Sequence, residues 1–437
     1  MMKAQLEDQN KIRDIQAPSV REIVQCRICG NEDLVTVVDL GVQSLTGIFP
    51  SDRAKRITSG PLQLVKCRED AADSTCGLLQ LKHSFNSHEM YGQNYGYRSG
   101  LNQSMVKHLQ QKVQNILKIV PLDRGDIILD IGSNDGTLLK SYPSEGLSFV
   151  GIDPTAAKFK KYYPPYIQII PDFFSAKRFV ESFPQRNAKV VTSISMFYDL
   201  EDPILFMKNI YEILEDDGLW VFEQSYMPTM LKMNAYDTIC HEHLEYYALE
   251  QIQWMIDRTG FKIVDVEFNA VNGGSFSVAV AKKSSDRFKE CLGKIRTILG
   301  QERASRLHTL APYRAFDRKI GEHRTELKAL IKKLKREGKK VFGYGASTKG
   351  NVILQSCDIT VKDIPCIADI NEDKHGCFTP YTGIPIISEE EARVQKPDYF
   401  LVLPWHFREG ILSRESNFLA AGGKIIFPLP NIEVVGS

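Results

Sequence analysis

Neither sign of charge dominates this sequence: 55 Lys and Arg stand against 54 Asp and Glu, so no global field draws the chain onto nucleic acid or an anionic membrane. Any anionic ligand must be held by local groups. Nowhere do about 18 apolar residues run together, which argues against a membrane-spanning helix, and the opening MMKAQLEDQNKIRDIQ lacks the apolar stretch of a signal peptide. Low-complexity tracts and internal repeats are absent as well. The nine cysteines are an odd number scattered among enzyme-like segments, so reduced thiols or metal ligation are expected rather than a disulfide framework. The expectation is a cytoplasmic protein with no nucleic-acid or membrane partner, its oligomeric state left open.

With 437 residues, 43% of them hydrophobic, the chain can bury real cores but exceeds one compact unit, and two or three domains are expected. Residues 1–24 are polar and read as a flexible tail. Residues 25–85 hold four cysteines and little helical period, so this small module calls for a staple. Residues 104–120 place apolar residues at three- and four-residue intervals, as an amphipathic helix does. IILDIG, FVGID, VVTSI and LWVFEQ then alternate with helical segments, the mark of a parallel sheet wound with crossover helices. With the closing strand pair in VDVEFNAVNGGSFSVAVAKK they make an α/β domain over residues 86–285. A charged helical connector is expected over 286–338, and KVFGYG, CIADI, YFLVLPW and KIIFPL outline a second α/β domain over 339–437.

Cys26 and Cys29 have knuckle spacing, and Cys67 and Cys76 add a second, wider pair. Four thiolates suit a structural zinc with a closed coordination shell. The bland alternative, four unligated core cysteines, fits poorly with so small a module.

The segment IILDIGSNDGTLL runs from a strand through a glycine-rich turn into a helix. Gly132 and Gly136 let backbone approach a ligand, and Asp130 with the turn amides can hold its polar groups. Asp153 ends the next strand at a distance suited to ribose hydroxyls in a dinucleotide or S-adenosylmethionine (SAM) site, and Asp172 follows the third. The glycines fall as G-x-x-x-G, which counts against NAD. The pattern resembles motif I of class I SAM-dependent methyltransferases, and that resemblance implies SAM contacts from Asp130, Gly132, Asn134, Gly136, Asp153 and Asp172, with Ser193, Met196 and Phe197 in the strand-four wall.

His241, Glu242 and His243 are consecutive. In an extended segment the two histidines would face the same way, and the H-E-x-x-H spacing of a zinc protease is absent. The residues alone leave two readings: a histidine base positioned by a carboxylate, or a polar helix start that caps and solvates. Farther on, GYGASTKG follows a strand, and its turn and helix start can hold a phosphate on backbone amides. Lys349, Lys374 and His375 add local positive charge there, with Asn351 and His406 as further candidates for a nucleotide-diphosphate handle. The alternative is a Rossmann-like domain that only covers the catalytic face.

The ordered series CRICG, LGVQSLTGIFP, NYGYRSGLNQSM, LDIGSNDGTLL, DTICHEHLEYY, NGGSFSV, GYGASTKGN and KHGCFTPYTGIPI resembles the bacterial C-methyltransferases that act on nucleotide-linked 4-keto-6-deoxyhexoses. The resemblance spans nearly the whole chain. It implies an N-terminal zinc module, a central class I SAM-binding domain and a C-terminal Rossmann-like domain, with SAM and a structural zinc as cofactors and a nucleotide-diphosphate keto-sugar as substrate. It also implies methylation of the carbon beside the ketone, C3, through a base-generated enolate. In the family's Tyr-His-Glu-His motif the last histidine is the proposed base with the glutamate beside it, which puts these roles on His243 and Glu242, behind His241. Cys240 stands at the tyrosine position, so Tyr97 or Tyr95 is expected to serve the ketone oxygen. Phe197-Tyr198-Asp199 stands where the family often has a histidine, which leaves the sugar and its ring stereochemistry open. Ser99 and Tyr198 are expected on the sugar side. The competing readings are an NAD-dependent nucleotide-sugar oxidoreductase and a non-catalytic nucleotide-sugar-binding protein.

Overall fold

The computed structural model describes residues 20–68, 74–91 and 97–436. Most of the expected tail and Tyr95 lie outside the described residues. Within that expected tail, however, Val20–Glu22 forms a short strand antiparallel to His83–Phe85.

Ile127–Ile131 is buried along its whole length, as a parallel strand covered on both faces must be. It lies inside a seven-stranded sheet. On one side follow Ser148–Ile152 and Ile167–Ile170; on the other follow Ala188–Ile194, Leu214–Ser225, Ser275–Lys282 and Phe261–Asn269. Ser275–Lys282 alone runs opposite to the other six strands. The winding reverses between Ile127–Ile131 and Ala188–Ile194, and the crevice at the carboxyl ends of such strands is where α/β sheets take ligands. Over it lies the helix Gln103–Ile119, expected from the periodicity. Asn102 caps it by accepting from the Ser104 N–H at 3.0 Å, and Met105, Leu109, Val113 and Ile116 form its buried stripe. His108 and Lys112 fix the helix to the sheet through Glu223, at 2.6 and 2.9 Å.

The cysteine-bearing module forms an antiparallel sheet of Leu34–Ser44, Ser59–Cys67 and Leu79–Leu81, completed by Glu245–Tyr246 from far along the chain. Glu245 pairs with Gln80 and Tyr246 with Leu79. A third sheet runs Ile386–Ser388, Ile367–Asp369, Val341–Tyr344, Tyr399–Val402, Lys424–Phe427 and Glu433–Val435, parallel except for the last strand. The stretch expected as a helical connector contains Leu292–Ala304 and Ala311–Arg336. The second of these is a packed layer. Tyr313, Phe316, Ile320, Leu327, Ile331 and Leu334 are buried in the core of the third sheet, and the charges occupy its outer side. The cysteine module docks on the same unit: Gln43 Nε2 donates to Ser356 Oγ at 2.8 Å, the Ser44 N–H to Gln355 Oε1 at 2.8 Å, and Asn351 Nδ2 to the Thr46 carbonyl at 2.7 Å. No helix among the described residues is long and apolar enough to cross a membrane.

Candidate active site

A cleft of about 490 Å³ is lined by residues from all three sheet regions. One end is the glycine turn. Gly132 has φ +74°, and a Cβ there would come within 3.1 Å of Met196 Cγ; at Gly136, φ +72°, it would come within 2.8 Å of the Tyr163 ring. Asn134, itself at φ 51°, gives its backbone N–H to Asp153 Oδ2 at 2.8 Å, while Thr155 occupies Oδ1. Asp153 therefore ties the turn to the neighbouring strand end and still lines the cleft. Asn134 also reaches the opposite wall: its Oδ1 accepts from the Ser99 N–H at 2.9 Å and its Nδ2 donates to the Tyr97 carbonyl at 3.2 Å. Asp130 accepts from Thr192 Oγ1 at 2.6 Å, and burial lifts its carboxyl to about 7. Asp172, paired with Arg178 at 2.8 Å, and Met196 complete this side.

The structure brings Glu242 and His243 into the same cleft and leaves His241 and Cys240 behind it. The reason is a turn at 240–243, closed by the His243 N–H donating to the Cys240 carbonyl at 3.2 Å. The extended geometry that would put both histidines on one side is therefore absent. His241 is fully buried, its Nε2 3.2 Å from the Gln43 carbonyl and its ring edge-on to Phe85. Cys240 is fully buried beside Glu242. His243 Nδ1 stands 2.8 Å from the Thr238 carbonyl; a carbonyl only accepts, so Nδ1 carries the hydrogen and Nε2 the lone pair. Burial first and the charge of Lys349 second press this imidazole down to about 3, leaving it unprotonated at neutral pH. Glu242 is backed by Gly47, where a Cβ would fall 2.1 Å from Oε1, and burial raises its carboxyl.

The far wall comes from the third sheet. Ser347, Thr348 and Lys349 at a helix start line the cleft with Lys374 and His406. Lys349 Nζ donates to the Asn272 carbonyl at 2.8 Å and Lys374 Nζ to the Ala346 carbonyl at 2.7 Å. The buried Nδ1 of His406 has no partner among the described residues. Asn351 and His375 are not in this wall: Asn351 bonds the Thr46 carbonyl, and His375 Nε2 lies 2.8 Å from the Asp369 carbonyl. Ser193 accepts from Trp220 Nε1 at 3.2 Å in the core, and Phe197 packs among Phe206, Trp220 and Phe222. Ser99, Tyr97 and Tyr198 do line the cleft. Sequence reasoning missed Tyr91, Asp199, Asn272 and Thr348; for Asp199 the signal was present, as the break from the family histidine.

The Sγ atoms of Cys26, Cys29, Cys67 and Cys76 all lie within 4.8 Å of one another, with Cys26 and Cys76 at 3.5 Å and Cys29 and Cys67 at 3.6 Å. Thiolates about 2.3 Å from a tetrahedral zinc stand about 3.8 Å apart, so the donor set fits that ion. Bound there, zinc would supply a closed cross-link.

The strand order and the glycine-turn cleft define a class I SAM-dependent methyltransferase, and a methyltransferase domain model matches residues 104–266. Models of a zinc binding domain and of a C-methyltransferase C-terminal domain match residues 26–91 and 270–430. The C-methyltransferase NovU of Streptomyces niveus is 31% identical over 421 residues, 96% of this chain and 98% of NovU. The chain belongs to this C-methyltransferase family. The oxidoreductase and non-catalytic readings are thereby set aside. Among solved structures, the CurJ carbon methyltransferase is 14% identical and superposes over 42% of this chain and 57% of its own, with a TM-score of 0.33. An S-adenosylmethionine-dependent methyltransferase from Clostridium acetobutylicum is 11% identical over 40% of this chain and 92% of its own, with a TM-score of 0.31. Superpositions so partial carry no weight beside the family match.

Proposed function

We propose that the protein methylates the carbon beside the ketone, C3, of a nucleotide-linked 4-keto-6-deoxy sugar through an enolate. The observation that carries the reading is His243, an unprotonated imidazole with Nδ1 committed to Thr238, in one cleft with the glycine turn. Bound SAM supplies a methyl group already activated on a sulfonium. On this reading Asp130, Gly132, Asn134, Asp153, Asp172 and Met196 seat the cofactor. Lys349, Lys374 and the helix start at Ser347 face the diphosphate, with His406 beside them, and Ser99 and Tyr198 flank the sugar. His243 Nε2 takes the proton from the carbon while Glu242 lies next to it. The cleft walls exclude water and hold the reacting atoms in line.

We further read the chain as a zinc module over 25–85, a SAM-binding domain over 86–285, helices over 286–338 and a nucleotide-sugar-binding domain from 339. The balanced charge suits a cytoplasmic enzyme with a diffusible substrate. Incubation with a panel of nucleotide 4-keto-sugars in deuterated water tests the reading. Without SAM, deuterium enters at the carbon beside the ketone; with SAM, mass rises by one methyl group. His243→Asn abolishes both and leaves SAM binding intact. Normal turnover in that variant removes His243 as the base.

A further inference from the structure

We propose that Asp199 is a further catalytic residue: a carboxylic acid that donates its O–H to the ketone oxygen while His243 takes the proton from the neighbouring carbon. The inference rests on the C-methylation reading above. Asp199 closes the turn after Ala188–Ile194 and lines the cleft. That turn is bound to the catalytic loop: the Leu244 N–H donates to the Tyr198 carbonyl at 2.8 Å, and the Tyr198 ring packs edge-on to His243 at 4.3 Å. Acid and base thus arise from two loops held together at one place in the cleft.

The two carboxyl oxygens are not equivalent. Tyr91 OH donates to Oδ2 at 2.8 Å, which makes that oxygen an acceptor. Oδ1 is buried and has no partner among the described residues. A proton on this carboxyl therefore belongs on Oδ1, the oxygen that no described residue engages. Burial holds the group well above the ordinary carboxylate range, and the nearby Glu242 charge adds to this against the Tyr91 hydrogen bond. Cys240, Glu245 and Tyr246 also sense Asp199, and none of them brings a positive charge.

The other candidates for this donor fail on geometry. Cys240 stands at the family's tyrosine position but is fully buried and does not line the cleft. Tyr97 lines it too, but its buried hydroxyl is already engaged by the Ser99 side chain. In the step itself the C–H electron pair becomes the C=C bond, the carbonyl π pair moves onto oxygen, and the proton goes to His243 Nε2. Asp199 keeps its proton and shares it with the developing oxyanion, the role a buried neutral carboxyl is suited to.

The test compares unaltered protein with Asp199→Ala and Asp199→Asn, the latter preserving shape and a donor. Deuterium uptake from D2O into a nucleoside-diphospho-4-keto-6-deoxyhexose is followed without SAM, and SAM affinity is measured by calorimetry. Asp199→Ala is expected to slow exchange about 100- to 1,000-fold with SAM affinity unchanged. Asp199→Asn should stay within about tenfold of the unaltered protein and should hold its rate at alkaline pH, where the acid would ionise. Exchange by Asp199→Ala within about threefold of normal overturns the proposal, as does an Asn variant as slow as the Ala variant, which would mean that the carboxylate charge matters. Exchange by the unaltered protein on no member of the sugar panel overturns the C-methylation reading, and this proposal with it.

Discussion

Arg27, seated between two of the clustered cysteines, brings its guanidinium Nε to 3.8 Å from Oε1 of Glu245, two residues beyond His243. The same guanidinium donates to the Leu81 carbonyl at 2.6 Å and to Ser84 Oγ at 2.9 Å. One side chain thus joins the cysteine knuckle, the strand Leu79–Leu81, and Glu245 just past the loop that carries His243. Arg27→Ala should cost about 2 kcal/mol of stability by leaving buried acceptors unpaired. Zinc content should stay at one per chain while turnover falls more than SAM affinity. Metal analysis, urea unfolding and kinetics on one preparation check this; unchanged turnover would show that the link is structural only.

Lys349 presses on His243, and a diphosphate seated on Lys349 would cancel that charge. A depressed base is lost only as pH falls through its folded value, here about 3, so kcat/KM for the sugar at saturating SAM should stay level well below the ordinary imidazole range. In the substrate complex the imidazole regains basicity, so the acid limb of kcat should lie at higher pH. Replacing Lys349 with Met should close the gap between the two profiles and weaken substrate binding. Coincident limbs in the unaltered protein would count against the coupling.

Asp130 offers a second pH dependence of opposite kind. Its carboxyl titrates near 7 in the folded protein against an ordinary 3.8, so the empty protein holds the proton more tightly than the unfolded chain does and loses stability as pH rises between those values. SAM carries a cationic sulfonium and favours the ionised carboxylate. Its affinity should therefore increase as pH rises through about 7, with proton release on binding. Calorimetry in buffers of different ionisation enthalpy reads the released proton directly, and Asp130→Asn should flatten the dependence.

Gly47 is held by contact, since a Cβ there would sit 2.1 Å from Glu242 Oε1 and 3.5 Å from Thr348 Oγ1. Gly47→Ala must displace the Glu242 carboxyl or the module that carries residue 47. Expected is a loss of roughly 1–3 kcal/mol in stability, as for overpacking, together with slower deuterium exchange at unchanged SAM affinity. Exchange at the normal rate would show that Glu242 has no part in the step.

The legible parts of this chain are those where one local pattern carries the geometry. Ile127–Gly136 declares a strand and a turn that needs positive φ, although the helix expected after it is only the single 3-10 turn Leu139–Ser141, and the cysteine spacing declares a ligand set. His241 and His243 show the limit: their separation onto two sides depends on a turn closed at Cys240, and nothing in the three letters His-Glu-His distinguishes it from extended chain. Asp199 was visible only as a departure from a resemblance, because its unpartnered oxygen is a property of what surrounds it. In Ala311–Arg336 the apolar stripe was present in the sequence but masked by the charges between its members, which occupy the other side of the helix. Glu245–Tyr246 could not be read at all, for two residues carry no period and their partners lie more than a hundred positions away.

That two-residue strand also limits how the chain can be recombined. The cysteine module completes its sheet with residues just past His243, so exchanging the N-terminal region alone between relatives should break that pairing. A chimera that takes residues 26–91 from another family member must import the segment around Glu245 with it. A fragment beginning after residue 91 should lose solubility as well as activity, because Val38, Leu62, Leu64 and Leu81 share a core with the third sheet and the loop loses the edge on which it is registered.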